Sequence, residues 1–313
     1  MIDVSIIIVN YNCLDILDNC LRTLFEHTKG ITFQIIIVDN NTTQGSVDDI
    51  VGKYKDVLLI KNDTNKGFAA ANNQALPYVK GKYILYLNND TVFIENVIKT
   101  VFDFAESLKE EAIIGCKLLN SDLSLQESIV RFPTIWNVFS QSFFLYKAFP
   151  KSALFNRFFI GNLHLNAPSS VDVVKGAFFF ANTSLIQKFN GFDERFYFYS
   201  EETDLCYRTW KDGIKTYFFP LASIIHIGGV ATDLDQWFKF KNDSVADIQF
   251  FQKHFHSFSF ALFLVIRYLG KIIRIPLYAL IGIFTFRKKL LIKSYYYFKQ
   301  LFVYPKNVFN QRS

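Results

Sequence analysis

Four short apolar runs, separated by helical patterns, fill the first ninety residues, and this alternation restricts the fold more than any other feature. VSIIIVN (Val4–Asn10), QIIIVD (Gln34–Asp39), VLLI (Val57–Ile60) and YILYL (Tyr83–Leu87) read as strands, apolar through their middles as strands buried on both faces are. Between them, Leu14, Leu17, Leu21, Leu24 and Phe25 recur at helical spacing, SVDDIVGKY forms a second helix, and a third follows Gly67 until Pro77 helps to close it. Strands and helices in this order predict βαβ units with right-handed crossovers and a parallel sheet. Three of the strands stop in polar clusters: Asn10-Tyr11-Asn12, Asp39-Asn40-Asn41 and Asn88-Asn89-Asp90. Open α/β sheets bind ligands beyond the carboxyl ends of their strands, so three such clusters predict a polar ligand at that edge.

A dinucleotide is disfavoured, because neither a GxGxxG turn nor a P-loop follows a strand. NKGFAAANN (Asn65–Asn73) carries one glycine and then small residues, which suit close approach to the sheet or to a flat ligand. Residues 118–170 hold Trp136 and many Phe and Tyr without clean periodicity, and are expected as an insertion over the site. VDVVKGAFFFAN (Val171–Asn182) reads as strand, turn at Gly176, strand. Glu201, Glu202 and Asp204 then crowd the first turn of a helix starting near Ser200. FYFYS before them and Leu205-Cys206-Tyr207 after them bury part of the cluster, and buried neighbouring carboxylates make a base that works near neutrality. His226 ends another apolar strand ahead of Gly228-Gly229, where a structural role and a metal shared with Asp90 both stand as readings.

The ordered blocks VSIIIVNYN, IIIVDNNT, NKGFAAANN, YILYLNNDT, KGAFFFAN, NGFDERFYFYSEETDLCYR and HIGG resemble family 2 glycosyltransferases of the GT-A fold, in the bacterial rhamnosyltransferase-like branch that builds surface polysaccharides. The resemblance covers about Val4 to Gly229. It implies an α/β catalytic domain over residues 1–229, with a Rossmann-like, mostly parallel sheet flanked by helices. Residues 230–313 are left as a helical, basic and apolar appendage. It also implies that Val9, Tyr11, Asn12, Asp39, Gly67 and Asn73 hold the nucleotide, with Asn88, Asn89 and Asp90 closing the same edge. Asp90 matches the last position of the family's DxD-type motif, whose first position is Asn88 here, and His226 matches a further metal ligand; Mn²⁺ or Mg²⁺ is the implied ion. SEETDL matches the acidic motif that carries the general base, which places the base at Glu202, where Asp is usual, with Glu201 as the alternative. Gly176, Ala177 and Asp204 would border the acceptor.

The activity so implied is inverting transfer of a sugar from a nucleotide-diphospho-sugar to a hydroxyl of a glycan or lipid-linked glycan. Rhamnose is the first choice, with galactofuranose, glucose and N-acetylhexosamine open. The reading from another class is a non-catalytic nucleotide-sugar-binding assembly subunit. Nucleic acid is not among the expected partners, and an oligomer remains open.

Net charge separates the appendage from the rest. The chain's +6 conceals a tail from Ile248 to Ser313 with eleven Lys or Arg and no acid, against 23 basic and 28 acidic side chains in residues 1–247. Within that tail, Phe258–Ile266 and Ile275–Phe286 are apolar runs separated by Arg267, Lys271 and Arg274. Neither run reaches the roughly 20 residues of a spanning helix. The three cations fall on one helical face, which predicts a helix lying on an anionic membrane surface. VSIIIV follows Asp3 and is too short for a signal core, and Cys13, Cys20, Cys116 and Cys206 lack metal-ligand spacing. The expected location is therefore cytoplasmic, peripheral to the inner face of the plasma membrane.

Overall fold

The computed structural model describes residues 2–156, 165–228 and 236–303. It divides into two compact units: Met1–Phe132 with Gly161–Leu234, and Pro133–Ile160 with Asp235–Ser313.

The first unit opens with the expected alternation: β1 (Ile2–Asn10), α1 (Leu14–His27), β2 (Phe33–Asp39), α2 (Val47–Val51), β3 (Val57–Lys61), α3 (Phe68–Ala75) and β4 (Gly81–Asn88). Strands β3, β2, β1 and β4 lie side by side and parallel. Asn10 is level with Asp39, and Val9 with Asn88, so the three polar clusters do share one edge. Next come β5 (Thr91–Phe93), α4 (Val97–Ser107), β6 (Ala112–Leu119) and β7 (Ile129–Val130). Helices α5 (Ile135–Ser142) and α6 (Leu145–Ala148) follow in the chain but belong to the second unit. The first unit resumes with β8 (Ser169–Val171), β9 (Val173–Val174), β10 (Phe178–Asn182), α7 (Thr183–Lys188), α8 (Glu201–Lys211) and β11 (Lys215–His226).

Among the described residues one nine-stranded sheet runs β3-β2-β1-β4-β10-β6-β11-β5, with β8 paired to β11. Beyond β4 it is mixed rather than parallel. β10 enters antiparallel between β4 and β6, with Phe178 opposite Leu87. That direction places its first residues, and Gly176-Ala177 ahead of them, at the carboxyl end of β4. Beneath the edge, Ile6, Ile8, Ile35, Ile37 and Leu85 pack with Leu17, Leu21 and Leu24 of α1 in one apolar core. Each such side chain contributes roughly 1.5–3 kcal/mol by leaving water. All four cysteines are buried and free.

The second unit is helical: α5, α6, α9 (Gln236–His254), α10 (Ser257–Phe284) and α11 (Lys288–Gln300). α10 packs against α11 and α5. Of residues 118–170, read as one insertion, Pro133–Ile160 falls in this helical unit, where Trp136, Phe139 and Phe155 pack together. The two apolar runs of the tail are one helix that continues through Pro276. Arg267, Lys271 and Arg274 share a face as expected, but that face points inward, and Lys271 is only 3% exposed. Many of the helix's apolar side chains, Val265, Ile272, Leu280 and Ile283 among them, lie outside, whereas Phe263 and Ile266 are buried. No helix among the described residues is long and apolar enough to cross a membrane.

Candidate active site

The carboxyl ends of β1, β2 and β4 are tied together by side-chain hydrogen bonds. Asn10, fully buried, is the hub: its Nδ2 donates to Asp39 Oδ1 (3.3 Å) and Thr42 Oγ1 (3.0 Å), and its Oδ1 accepts from Asn89 Nδ2 (2.9 Å). Asp39 is buried as well and accepts from the Thr42 backbone N–H (3.1 Å). Asn12, in a left-handed conformation, accepts from the Thr43 N–H (2.8 Å). Val9 sits half-buried between Val38 and Asn88, and Tyr11 stands exposed above the edge. Val9, Tyr11, Asn12, Asp39 and Asn89 therefore come together as expected.

Gly67 and Asn73 are used differently. Gly67 has φ +87° and ψ 170°, a region that only glycine occupies without strain, and a Cβ there would lie 2.5 Å from the Tyr197 carbonyl oxygen. Asn73 donates to the Phe192 carbonyl (2.8 Å) and accepts from the Phe192 N–H (3.0 Å). Both residues seat the chain around 190–200 against α3, so neither presents a free group to a nucleotide. Their contribution is to bring the acidic block to the same edge.

Asp90 and His226 face each other across that edge. His226 Nδ1 lies 2.6 Å from Gln126 Oε1, and Gln126 Nε2 donates to the His226 carbonyl (3.0 Å) and to Asn120 Oδ1 (2.9 Å). The amide is thus oriented with its oxygen toward the ring, so Nδ1 donates to it. Asp90 Oδ1 lies 3.2 Å from His226 Nε2, and it is buried with no hydrogen-bond donor. Its other oxygen accepts from the Gly228 N–H (3.1 Å). Asn88 Nδ2 completes the group, 3.3 Å from His226 Nε2. A carboxylate oxygen without a donor and a ring nitrogen this close are a pair that could serve a divalent cation as mixed oxygen and nitrogen ligands. Among the described residues no cluster of three or more His, Cys, Asp and Glu forms, so an ion here would take its other ligands from Asn88, water or a ligand. Gly229, the second glycine after His226, lies outside the described residues.

The acidic block begins under strain. Tyr199 and Ser200 both have positive φ (+75° and +66°), at a cost on the order of 1–3 kcal/mol each. Ser200 does not cap α8 with its side chain. Burial pushes Glu201 well above the ordinary carboxylate range, and the charge of Glu202 adds to the shift. Glu202 is raised too, by burial, but Lys175 and the backbone N–H groups of Gly176 and Thr203 oppose the shift. Burial thus raises both carboxyls, and Glu202 has the positive charge of Lys175 acting on it. The Glu202 carboxyl carbon lies close to Gly176, and the next residue's carbonyl, that of Ala177, accepts from the Asn88 N–H (3.1 Å). Glu202, Gly176, Ala177, Asn88 and Asp90 thus form one continuous border. Asp204 does not join it: it is fully buried and pairs with Arg208 Nε (2.7 Å), whose other nitrogens bind the Phe189 and Gly191 carbonyls.

The family model described as glycosyl transferase family 2 matches residues 5–161. The chain belongs to that family. A rhamnosyltransferase of Escherichia coli K12, WbbL, is 28% identical over 236 residues, which is 71% of this chain and 83% of that protein. WfaP of Escherichia coli, a UDP-Glc:α-D-GlcNAc-diphosphoundecaprenol β-1,3-glucosyltransferase, is 38% identical over 109 residues, 34% of this chain and 42% of its own length. Among solved structures, GalNAc-T7 with UDP, GalNAc and Mn²⁺ superposes with a TM-score of 0.55 at 15% identity, over 72% of this chain and 44% of that one. The fold is of the GT-A type.

Three residues of this glycosyltransferase's edge escape a reading by motif. Asn10 falls inside an expected polar cluster, but its role as hub depends on the pairing of β1 with both neighbours. Gln126 lies in the stretch without periodicity and carries no signal of its own. Lys175, just ahead of the Gly176 turn, is placed beside Glu202 only by the packing of α8 on β9.

Proposed function

We propose that this glycosyltransferase moves a sugar, rhamnose first and glucose second, from a nucleotide-diphospho-sugar to a hydroxyl of a glycan or lipid-linked glycan, with inversion, in the synthesis of a cell-surface polysaccharide. The observation that carries the reading is the Asp90 oxygen without a hydrogen-bond donor, 3.2 Å from His226 Nε2, at the strand edge that also holds Glu202. Rhamnose ranks first because the relative named for it is matched over most of both chains. Glucose follows from the shorter match to the glucosyltransferase.

Tyr11, Asn12 and Asp39 would hold the nucleoside, with Asn10 and Thr42 fixing the Asp39 carboxylate. Asp90 and His226 would hold a Mn²⁺ or Mg²⁺ ion, which supplies charge neutralisation to the departing diphosphate. Glu202 takes the proton from the acceptor hydroxyl, beside Gly176 and Ala177, as that oxygen attacks the anomeric carbon from the face opposite the leaving group. One displacement inverts that carbon.

The exposed apolar face of α10 and α11, including Phe258, Phe284 and Phe286, carries the proposal of a peripheral site on the inner face of the plasma membrane. Arg287, Lys288, Lys289 and Lys293 are exposed beside it, and each contributes about 1 kcal/mol near an anionic leaflet. The test of the activity is a panel of nucleotide-sugars with Mn²⁺, reading nucleoside diphosphate release with and without lipid-linked acceptor. Binding of a nucleotide-sugar with no turnover under any condition would replace the enzyme by a binding subunit.

A further inference from the structure

The helical unit encloses a second polar site, which the reaction does not use. A cavity of about 150 Å³ is walled by α5, α9, α10 and α11, and Arg267, Lys271 and Arg274 all line it. Spaced four and three residues apart, they enter from one face of α10. Only two carboxylates line the cavity, Asp243 and Asp247 of α9, and Arg267 pairs with Asp247 at 2.5 Å. Lys271 is left with weak neutral partners, the Ser244 hydroxyl at 3.3 Å and the Gln300 carbonyl at 3.5 Å. Arg274 donates to the Gln141 carbonyl and to the Tyr297 hydroxyl (3.4 Å), and its guanidinium is held over the Phe144 and Tyr297 rings at 4.7 and 5.3 Å. The Nε groups of both arginines are buried without any acceptor.

A cavity lined by two arginines, a lysine and two carboxylates leaves N–H donors without acceptor oxygens. Leaving such donors empty costs free energy, and hydrophobic residues of similar volume would pack more stably. The Arg274 guanidinium is fixed by the two rings and by Gln141 and Tyr297, with Nε left as a donor for an oxyanion. We propose that this cavity binds a phosphate or diphosphate group, held by Lys271 and Arg274 with Arg267 behind them. The group belongs either to a free phosphate compound or to the headgroup of a lipid.

The experiment uses the full chain in EDTA, where the strand-edge site has no metal, with inorganic pyrophosphate as probe and calorimetric and thermal-unfolding readouts. Pyrophosphate should bind saturably and raise the unfolding midpoint. Lys271→Met and Arg274→Lys should each weaken it roughly 10- to 100-fold, the loss expected for a charged hydrogen bond, whereas Asp90→Ala should leave it unchanged. Lys271→Arg should restore binding. Arg274→Lys keeps the charge and serves where Lys271→Met fails to fold. In a parallel arm, phosphatidylcholine vesicles with and without phosphatidic acid are offered. Phosphatidate-dependent binding that pyrophosphate competes away identifies a lipid headgroup, and pyrophosphate binding without it identifies a soluble phosphate. If neither probe binds, or if binding survives both cavity variants and is lost in Asp90→Ala, the cavity is a structural ion network and the proposal falls.

Discussion

Helices α1 and α10 are both amphipathic, yet they face opposite ways. α1 buries Leu17, Leu21 and Leu24 against the sheet and leaves Arg22 and Glu26 paired at the surface. α10 buries Lys271 and leaves Val265, Ile272, Leu280 and Ile283 exposed. Periodicity says that a helix has two faces, and the partner decides which face is inside. Where the partner is a sheet with an apolar face, the hydrophobic stripe goes in. In the helical unit a polar cavity takes the three basic residues. Phe263 and Ile266 are buried, Phe263 against Phe251 of α9, yet much of the apolar surface of α10 is left exposed. The buried polar groups differ in the same way. At the strand edge Asn10 and Asn40 make several hydrogen bonds each, with the Asp90 oxygen as an orphan, while in the helical unit donors outnumber acceptors.

Substitutions sharpen that contrast, beginning with the largest effect. Glu202→Gln keeps the shape of the side chain and removes the base, so transfer should fall roughly 10²–10⁴-fold with donor affinity little changed. If Glu201→Gln is the crippled variant instead, the proton-accepting position is one residue earlier. Asp90→Ala should reduce turnover on the order of 10³-fold, the rate equivalent of several kcal/mol of lost metal stabilisation, while the far-UV circular dichroism stays native. Full activity of that variant in EDTA would remove the metal from the mechanism. Gln126→Ala frees the His226 ring and should weaken Mn²⁺ binding roughly 10- to 100-fold, as loss of an outer partner of a ligating histidine does. Gly67→Ala should lower stability by about 1–3 kcal/mol in denaturant unfolding, because its φ and the Tyr197 carbonyl both exclude a Cβ.

The smallest effect separates the units by pH. Burial holds Glu201 protonated above its ordinary range, so the folded state binds the extra proton and stability is lost as pH rises from about 4.5 through the raised value. Lys271 has the opposite sign. Burial, reinforced by Arg267 and Arg274 and opposed by Asp247 and Asp243, lowers it from 10.5 to about 7. Between those values the unfolded chain holds the proton, so stability rises with pH. Unfolding midpoints measured from pH 5 to 10 should flatten at the low end in Glu201→Gln and at the high end in Lys271→Met. Parallel curves for wild type and both variants would mean that neither group is desolvated as described.

Much of the first unit was legible because its signals are local. Each of the first four strands is a run of β-branched and aliphatic residues, and each polar cluster follows its strand directly, so strand position and site edge come from the same few residues. The family motifs point to Asp39, Asp90, Glu202 and His226, and the structure sets Asp90 beside His226. Which members of those motifs are taken up by contacts within the protein was decided by long-range packing. Gly67 and Asn73 are taken up by the Tyr197 carbonyl and the Phe192 backbone, more than a hundred residues away, and Asp204 is closed off by Arg208 and the carbonyls that it gathers. Gln126 reaches His226 across a hundred residues from a stretch with no periodicity. The three cations of α10 were placed on one face by spacing alone, but their direction was not in the helix. It depends on α5 and α9 supplying Gln141, Ser244 and two aspartates opposite them, because a helix's own period carries no information about what its polar face will meet.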